Sequence, residues 1–196
     1  MASINDELNL VVPVRAGERG VRIYAYHSPI SREVFEANYR LLGAAKAALA
    51  AKGVYFMMDV GPRIAALTLA DEGRKEAAEQ GENGDGGASA LLEEIKRLTM
   101  ILAPGVGGWE LMPVDAALSQ GAIDREEWSE AEAAIVFFTF HCALARKADR
   151  GKVAKATASV LKGWSTSSTA TAYAASLPSS TTSEASVGKA GSSVPS

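Results

Sequence analysis

The chain has 196 residues, with 20 basic and 23 acidic side chains, a net charge of −3, one Cys and two His. That length predicts one domain with room for an appendage, able to bury about two thirds of its unfolded surface without disulfides or metal. The lone Cys142 excludes an internal disulfide framework and fits a reducing compartment. The acidic balance argues against a nucleic-acid binder, whose footprint is basic.

Residues 1–9 are polar and carry Asp6 and Glu7 where a secretory signal needs a basic start and an apolar core, so no signal peptide is expected. Leu8–Arg15 and Val21–His27 are rich in β-branched and aromatic residues and predict a hairpin around the Ala-Gly-Glu-Arg-Gly loop at 16–20. Alternation places Val21, Ile23, Ala25 and His27 on one face and Arg22, Tyr24 and Tyr26 on the other. A lone hairpin is marginal in water, so this one must pack on helices or pair with another chain.

Ser31 caps a helix to about Lys52, with Phe35, Tyr39, Leu42 and Leu49 as its apolar stripe and Gly53 at its stop position. Tyr55–Val60 reads as a short apolar connection. Gly61-Pro62 opens a second helix that fades into a Gly-rich surface loop at 81–87. Ser89 starts a third helix, whose spacing of Leu91, Leu92, Ile95, Leu98 and Ile101/Leu102 carries it to Pro104. Trp109–Met112 suggests a short strand, and Pro113–Gln120 a short helix closed by Gly121. Asp124 and Glu127 form a capping box for a long helix to about Lys147, with Trp128, Ala131, Ile135, Phe138 and Cys142 on its core face. A last helix covers roughly 152–162. The apolar run Ala133–Ala145 is too short for the roughly 20 residues that span a bilayer, and reads as a buried helix.

From Trp164 to Ser196 the composition changes: 16 of these 33 residues are Ser or Thr, and only Glu184 and Lys189 are charged. Such a segment cannot bury enough apolar surface to offset its ordering entropy, and a disordered tail is expected. The exception is Ala170–Leu177, where Tyr173 and Leu177 stand four apart on a potential helical face. The expectation is an α+β, mostly α-helical protein: a compact domain over 1–163, in which an N-terminal β-hairpin packs on a helical bundle, and a Ser/Thr-rich flexible tail over 164–196.

The search for chemistry gives little. His141 and Cys142 are adjacent, so on a helix they point about 100° apart and cannot share a metal. His27 precedes Pro29 and has no carboxylate neighbour in sequence, which reads as a structural histidine. There is no G-x-S-x-G, and the serines crowd into the tail. Gly105-Val-Gly-Gly108 follows a predicted helix, the wrong context for a dinucleotide loop, and Gly81–Gly87 carries two acids that repel phosphate. The basic run Arg146, Lys147, Arg150 and Lys152 suits a helix C-terminus. No catalytic residue, cofactor or metal ligand is nominated. What remains is a surface that works by touching another protein.

Several segments together resemble a known group: Asn9-Leu-Val-Val-Pro-Val-Arg15, Pro29-Ile-Ser-Arg-Glu-Val-Phe-Glu36, Gly61-Pro-Arg-Ile-Ala-Ala-Leu67, Glu94-Ile-Lys-Arg-Leu-Thr99, Gly108-Trp-Glu-Leu-Met-Pro-Val-Asp-Ala-Ala117 and Ser176-Leu-Pro-Ser-Ser-Thr-Thr182. In order and wording they are similar to the tail assembly chaperones of long-tailed bacteriophages. The resemblance implies a non-enzymatic role in the host cell cytoplasm: coating the tape measure protein, keeping it soluble, and recruiting tail tube subunits, without remaining in the finished virion. It also implies that a longer, frameshifted form can exist. Neither nucleic acid nor membrane is an expected partner, and self-association is left open. Tyr24, Tyr26, Phe35, Tyr39 and Leu42 are the candidate partner-binding residues, with a core role as the competing assignment for each, stronger for Phe35 and Leu42. The alternative function is a structural virion protein, such as a tail completion, head–tail connector or minor tail component. A small host-directed enzyme would require convergent titratable groups around His27 or His141.

Overall fold

The computed structural model describes residues 8–17 and 20–178. The protein is α+β: strands β1 (Asn9–Gly17) and β2 (Gly20–His27) precede helices α1 (Arg32–Ala50), α2 (Val54–Asp59), α3 (Gly61–Glu79) and α4 (Ala88–Arg97). Strands β3 (Thr99–Gly105) and β4 (Gly108–Pro113) follow, then α5 (Val114–Ser119), α6 (Arg125–Ala143), α7 (Arg150–Val160), β5 (Trp164–Thr166) and α8 (Ala170–Ser176).

The expected hairpin forms, with Leu10 opposite His27 and Gly17 opposite Gly20, but it is not solitary. All strands pair antiparallel in a five-stranded sheet of order β4-β3-β2-β1-β5. β5 pairs only with Asn9–Val11, so Pro13 lies where β1 has no second neighbour and its missing N–H costs no ladder bond. The register of β1 against β2 slips between Pro13 and Ala16.

One sheet face carries Leu10, Val12, Ile23, Ala25, Ile101 and Ala103 into the main core, against α1, α3, α4 and α6. The expected alternation in β2 is therefore observed for Ile23 and Ala25, and His27 is buried with them. Helix α6 is the central element. Every residue from Ile135 to Phe140 is buried, because neighbours surround this stretch on all sides. Its start is fixed by the expected capping box: Asp124 accepts from the Glu127 amide while Glu127 accepts from the Asp124 amide. Glu127 also takes a bidentate ion pair from Arg15, tying α6 to β1.

The opposite sheet face is apolar too, with Val11, Tyr26 and Leu102 buried. Helix α8 covers it, laying Tyr173 and Ala174 on these residues, with Leu177 packed alongside. The expected boundary at Trp164 is thus corrected. Trp164–Thr166 is a sheet strand, and the Tyr173/Leu177 spacing belongs to a real helix capped by the Thr169 hydroxyl. Composition misled because a few aromatics placed over an apolar face outweigh many serines. The flexibility expected for the rest of the tail falls on 179–196, outside the described residues.

Three smaller expectations change. The helix expected from Ser89 to Pro104 ends at Arg97, and Thr99 begins β3. Both faces of β3 are buried, so its continuous apolar run has no alternation to distinguish it from helix. Gly87 rather than Ser89 precedes α4, and the Asp85 carboxylate accepts from the Gly87 and Ser89 amides. The connection expected at 55–60 is helix α2, entered through Gly53 at φ +98°, a conformation that a side chain resists. Among the described residues no helix is long and apolar enough to cross a membrane.

Candidate functional site

The five residues nominated from sequence divide between core and surface. Leu42 is fully buried between α1 and its neighbours, and Tyr26 is 2 % exposed beneath α8, its hydroxyl donating to the Ser168 carbonyl at 2.6 Å. Neither can meet a partner without opening the fold, which corrects their assignment as partner surface. Tyr24 is half-buried on the second sheet face, its ring 5.5 Å from Trp109 and 5.6 Å from Trp164. Burial raises its phenol pKa above the ordinary value. Phe35 is half-buried against the core at the edge of a cavity. Only Tyr39 projects freely, 49 % exposed on α1, with Arg40 Nε donating to its hydroxyl at 3.2 Å and the guanidinium 5.9 Å from the ring centroid.

Beyond the isolated Val106 and Leu67, exposed apolar side chains cluster on α2. Val54 is 78 % exposed, Tyr55 84 % and Met58 41 %. At 100° per residue these three fall within one arc of about 100°, while Phe56 and Met57 on the opposite side pack against the main core. A six-residue helix made of VYFMMD can bury one face only, so its other face is left apolar in water. The signal was present in the sequence as a five-residue apolar run; what it lacked was any indication that the run is helical and sits outside α1 and α3.

The histidines behave as structural groups, His27 buried and His141 half-buried. His141 lies between Phe137 and Phe140, with ring centroids 4.3 and 4.9 Å away, and its Nδ1–H donates to the Phe137 carbonyl at 2.8 Å. Burial lowers its pKa to about 4. His27 is 1 % exposed, and burial lowers its pKa to about 3. Its cross-strand partner is Thr99, whose hydroxyl lies 3.0 Å from Nδ1. Cys142, also buried, has its thiol pushed up to about 12. Neither histidine has a carboxylate hydrogen-bond partner among the described residues, and both are neutral at pH 7, with pKa values far below those of efficient general bases. No group of three or more His, Cys, Asp or Glu is arranged to hold a metal among the described residues.

A cavity of about 260 Å³ opens between β2, the start of α1, α6 and α7. Leu8, Ile30, Phe35 and Phe138 supply apolar wall, and His27, Thr139, Cys142 and Arg150 the polar groups.

The fold and these surfaces define a class: an α+β domain whose sheet is sandwiched between a helical core and a small C-terminal helix, with one apolar helix facing solvent. Compared with protein-family models, curated proteins and solved structures, the chain matches none.

Proposed function

We propose that the protein acts by binding other proteins, as a non-enzymatic tail assembly chaperone of a long-tailed bacteriophage. Its partners are the tape measure protein, the tail tube subunits, or both, and it works in the host cytoplasm. The observation that carries the reading is the exposed apolar face of α2, which a chain with no partner would do better to cover. The resemblance in sequence supplies the particular partners.

The energetics suit such a role. A Val, Met or aromatic side chain contributes roughly 1.5–3 kcal/mol when it moves from full exposure to full burial. Association costs of the order of 4–15 kcal/mol consume most of what three such residues offer. One copy therefore binds weakly, so a coat of many copies forms only at high local concentration and its members are displaced one at a time. That is the behaviour needed from a temporary coat.

Co-expression with the tape measure protein tests the reading. An otherwise insoluble tape measure is expected to become soluble, and Tyr55→Asp with Val54→Ser is expected to abolish the rescue while leaving the fold intact. Absence of rescue by the unaltered chain overturns the proposal. Mass spectrometry of purified virions addresses the alternative of a structural virion protein: recovery at fixed stoichiometry would favour it.

A further inference from the structure

The turn between α7 and β5 sets a local preference against the closed fold. Helix α7 ends in a two-bond cap: the Lys162 amide donates to the Ser159 carbonyl at 3.1 Å and the Gly163 amide to the Ala158 carbonyl at 2.9 Å. Such a cap needs a left-handed residue at the first position past the helix, and that residue is usually glycine. Here Lys162 holds it at φ +55°, the one non-glycine residue with positive φ among the described residues. The glycine comes one position later, where a Cβ would stand 2.2 Å from the Val11 carbonyl oxygen. Gly163 is thus committed to the close approach to β1, and Lys162 carries a conformation that its own Cβ disfavours. The Lys162 side chain is exposed, so no burial of it offsets that cost.

This one residue decides where the following segment goes. With Lys162 left-handed the chain turns back, and β5 reaches Asn9–Val11. With Lys162 in its preferred right-handed conformation the chain continues along α7, and residues 164–178 leave their own sheet. Departure alone is not a stable outcome. It uncovers Val11, Tyr26 and Leu102, and a seven-residue helix does not persist in water. A segment of the same shape must take the vacated place. It has to bring three strand residues for Asn9–Val11 and a carbonyl that accepts from Tyr26 at 2.6 Å and from Asn9 Nδ2 at 3.2 Å. It also has to bring a ring like Tyr173 and a carbonyl that accepts from Trp109 Nε1 at 2.9 Å. A second copy of this chain carries all of these in the right order.

We propose that the protein forms a reciprocal dimer, in which each copy lays its 164–178 segment on the sheet of the other with Lys162 as the hinge. The contacts of the segment with the sheet are kept, and two lysines are released from the left-handed region; short, strained hinges favour such exchange. The exchange involves neither the α2 face nor a tail protein, so it stands or falls apart from the proposed function.

Two effects set its strength. A segment on a short tether meets its own sheet at an effective concentration of about 1 mM, so an unstrained hinge gives a dimer dissociation constant of that order. Releasing one residue from the left-handed region shifts the equilibrium about fivefold, and two per dimer about 25-fold, which brings the constant to roughly 40 μM. Light scattering on full-length protein, refolded from urea at a series of concentrations, measures it. Lys162→Gly is expected to dimerise about 25-fold more weakly than the unaltered chain. Lys162→Val, whose β-branched side chain resists positive φ, is expected to dimerise more tightly. In a mixed dimer of isotope-labelled and unlabelled copies, Tyr173 of one copy should show nuclear Overhauser contacts to the Tyr26 ring of the other. A protein that stays monomeric up to about 1 mM, a dimer whose Tyr173 contacts lie only within each chain, or a Lys162→Gly protein that dimerises as tightly as the unaltered chain would each overturn the proposal.

Discussion

Two helix-interior glycines that look alike in sequence are expected to respond oppositely to the same substitution. Gly43 in α1 and Gly73 in α3 both carry ordinary helical backbone, so replacing either with Ala gains about 1 kcal/mol of helix propensity. At Gly43 a Cβ meets nothing within 4 Å, and that gain should be realised in full. At Gly73 a Cβ would stand 2.0 Å from the Asp85 carbonyl oxygen and 2.8 Å from the Ala88 Cβ. The first of these is backbone, held in a tight turn where Gly86 approaches Gly73 in return. It cannot swing aside as a side-chain tip would, so the start of α4 must move away from α3. Forcing extra volume into a packed contact costs typically 1–3 kcal/mol, and more where backbone must shift. Gly73→Ala should therefore destabilise by about 1–3 kcal/mol net, against about 1 kcal/mol of stabilisation for Gly43→Ala. Urea unfolding monitored by far-UV circular dichroism reads both, as midpoint shifts of opposite sign at unchanged slope. A Gly73→Ala protein as stable as Gly43→Ala would refute the reasoning, because it would mean that α3 and α4 do not approach as described.

Acid should weaken the fold well above the usual carboxylate range. His27 and His141 titrate near 3 and 4 when folded and near 6.5 when unfolded, so between those values the unfolded chain binds more protons. Their stabilisation is complete above pH 6.5 and falls as the pH drops, by about 2 kcal/mol for each histidine at pH 5; a melting temperature unchanged between pH 7 and pH 5 would contradict this. Tyr173→Ala should cost about 3 kcal/mol, the range for removing a buried aromatic, and should raise binding of the dye ANS as Val11, Tyr26 and Leu102 lose their cover. The same variant with unaltered stability and no added dye binding would show that α8 does not seal the sheet.

Elements whose ends are marked by local chemistry were legible in the sequence. Ser31 and the Asp124/Glu127 box announce α1 and α6, Gly61-Pro62 announces α3, and the Gly-bounded β-branched runs announce the first hairpin. Elements defined by what covers them were not. β3 looks helical because both its faces are buried, and β5 consists of three residues that form a strand only because β1 offers them an edge. The candidate surface followed the same division. Phe35 and Leu42 have the same spacing on a helix as exposed anchors would, and burial depends on α6 and the sheet, which lie far along the chain.

The position of α8 bears on where a partner can bind. A seven-residue helix is far too short to persist alone in water, so α8 exists because the sheet face it covers would otherwise be exposed. Its hold is distributed. Tyr26 donates to the Ser168 carbonyl, Trp109 Nε1 donates to the Pro178 carbonyl at 2.9 Å, and Trp164 and Tyr173 pack at 6.2 Å. The protein thus covers much of the apolar surface that a hairpin sheet creates with the 164–177 segment, and the part of the second sheet face formed by Val11, Tyr26 and Leu102 is not available to a partner in the closed fold. No such cover reaches α2. Its exposed residues stand between two long helices, on an element reached through a glycine turn and held by only two inward side chains, Phe56 and Met57. A fold that covers Val11, Tyr26 and Leu102 with a dedicated segment and leaves Val54, Tyr55 and Met58 open distinguishes the two, and under the proposed function it is the open one, centred on Tyr55, that docks against another chain.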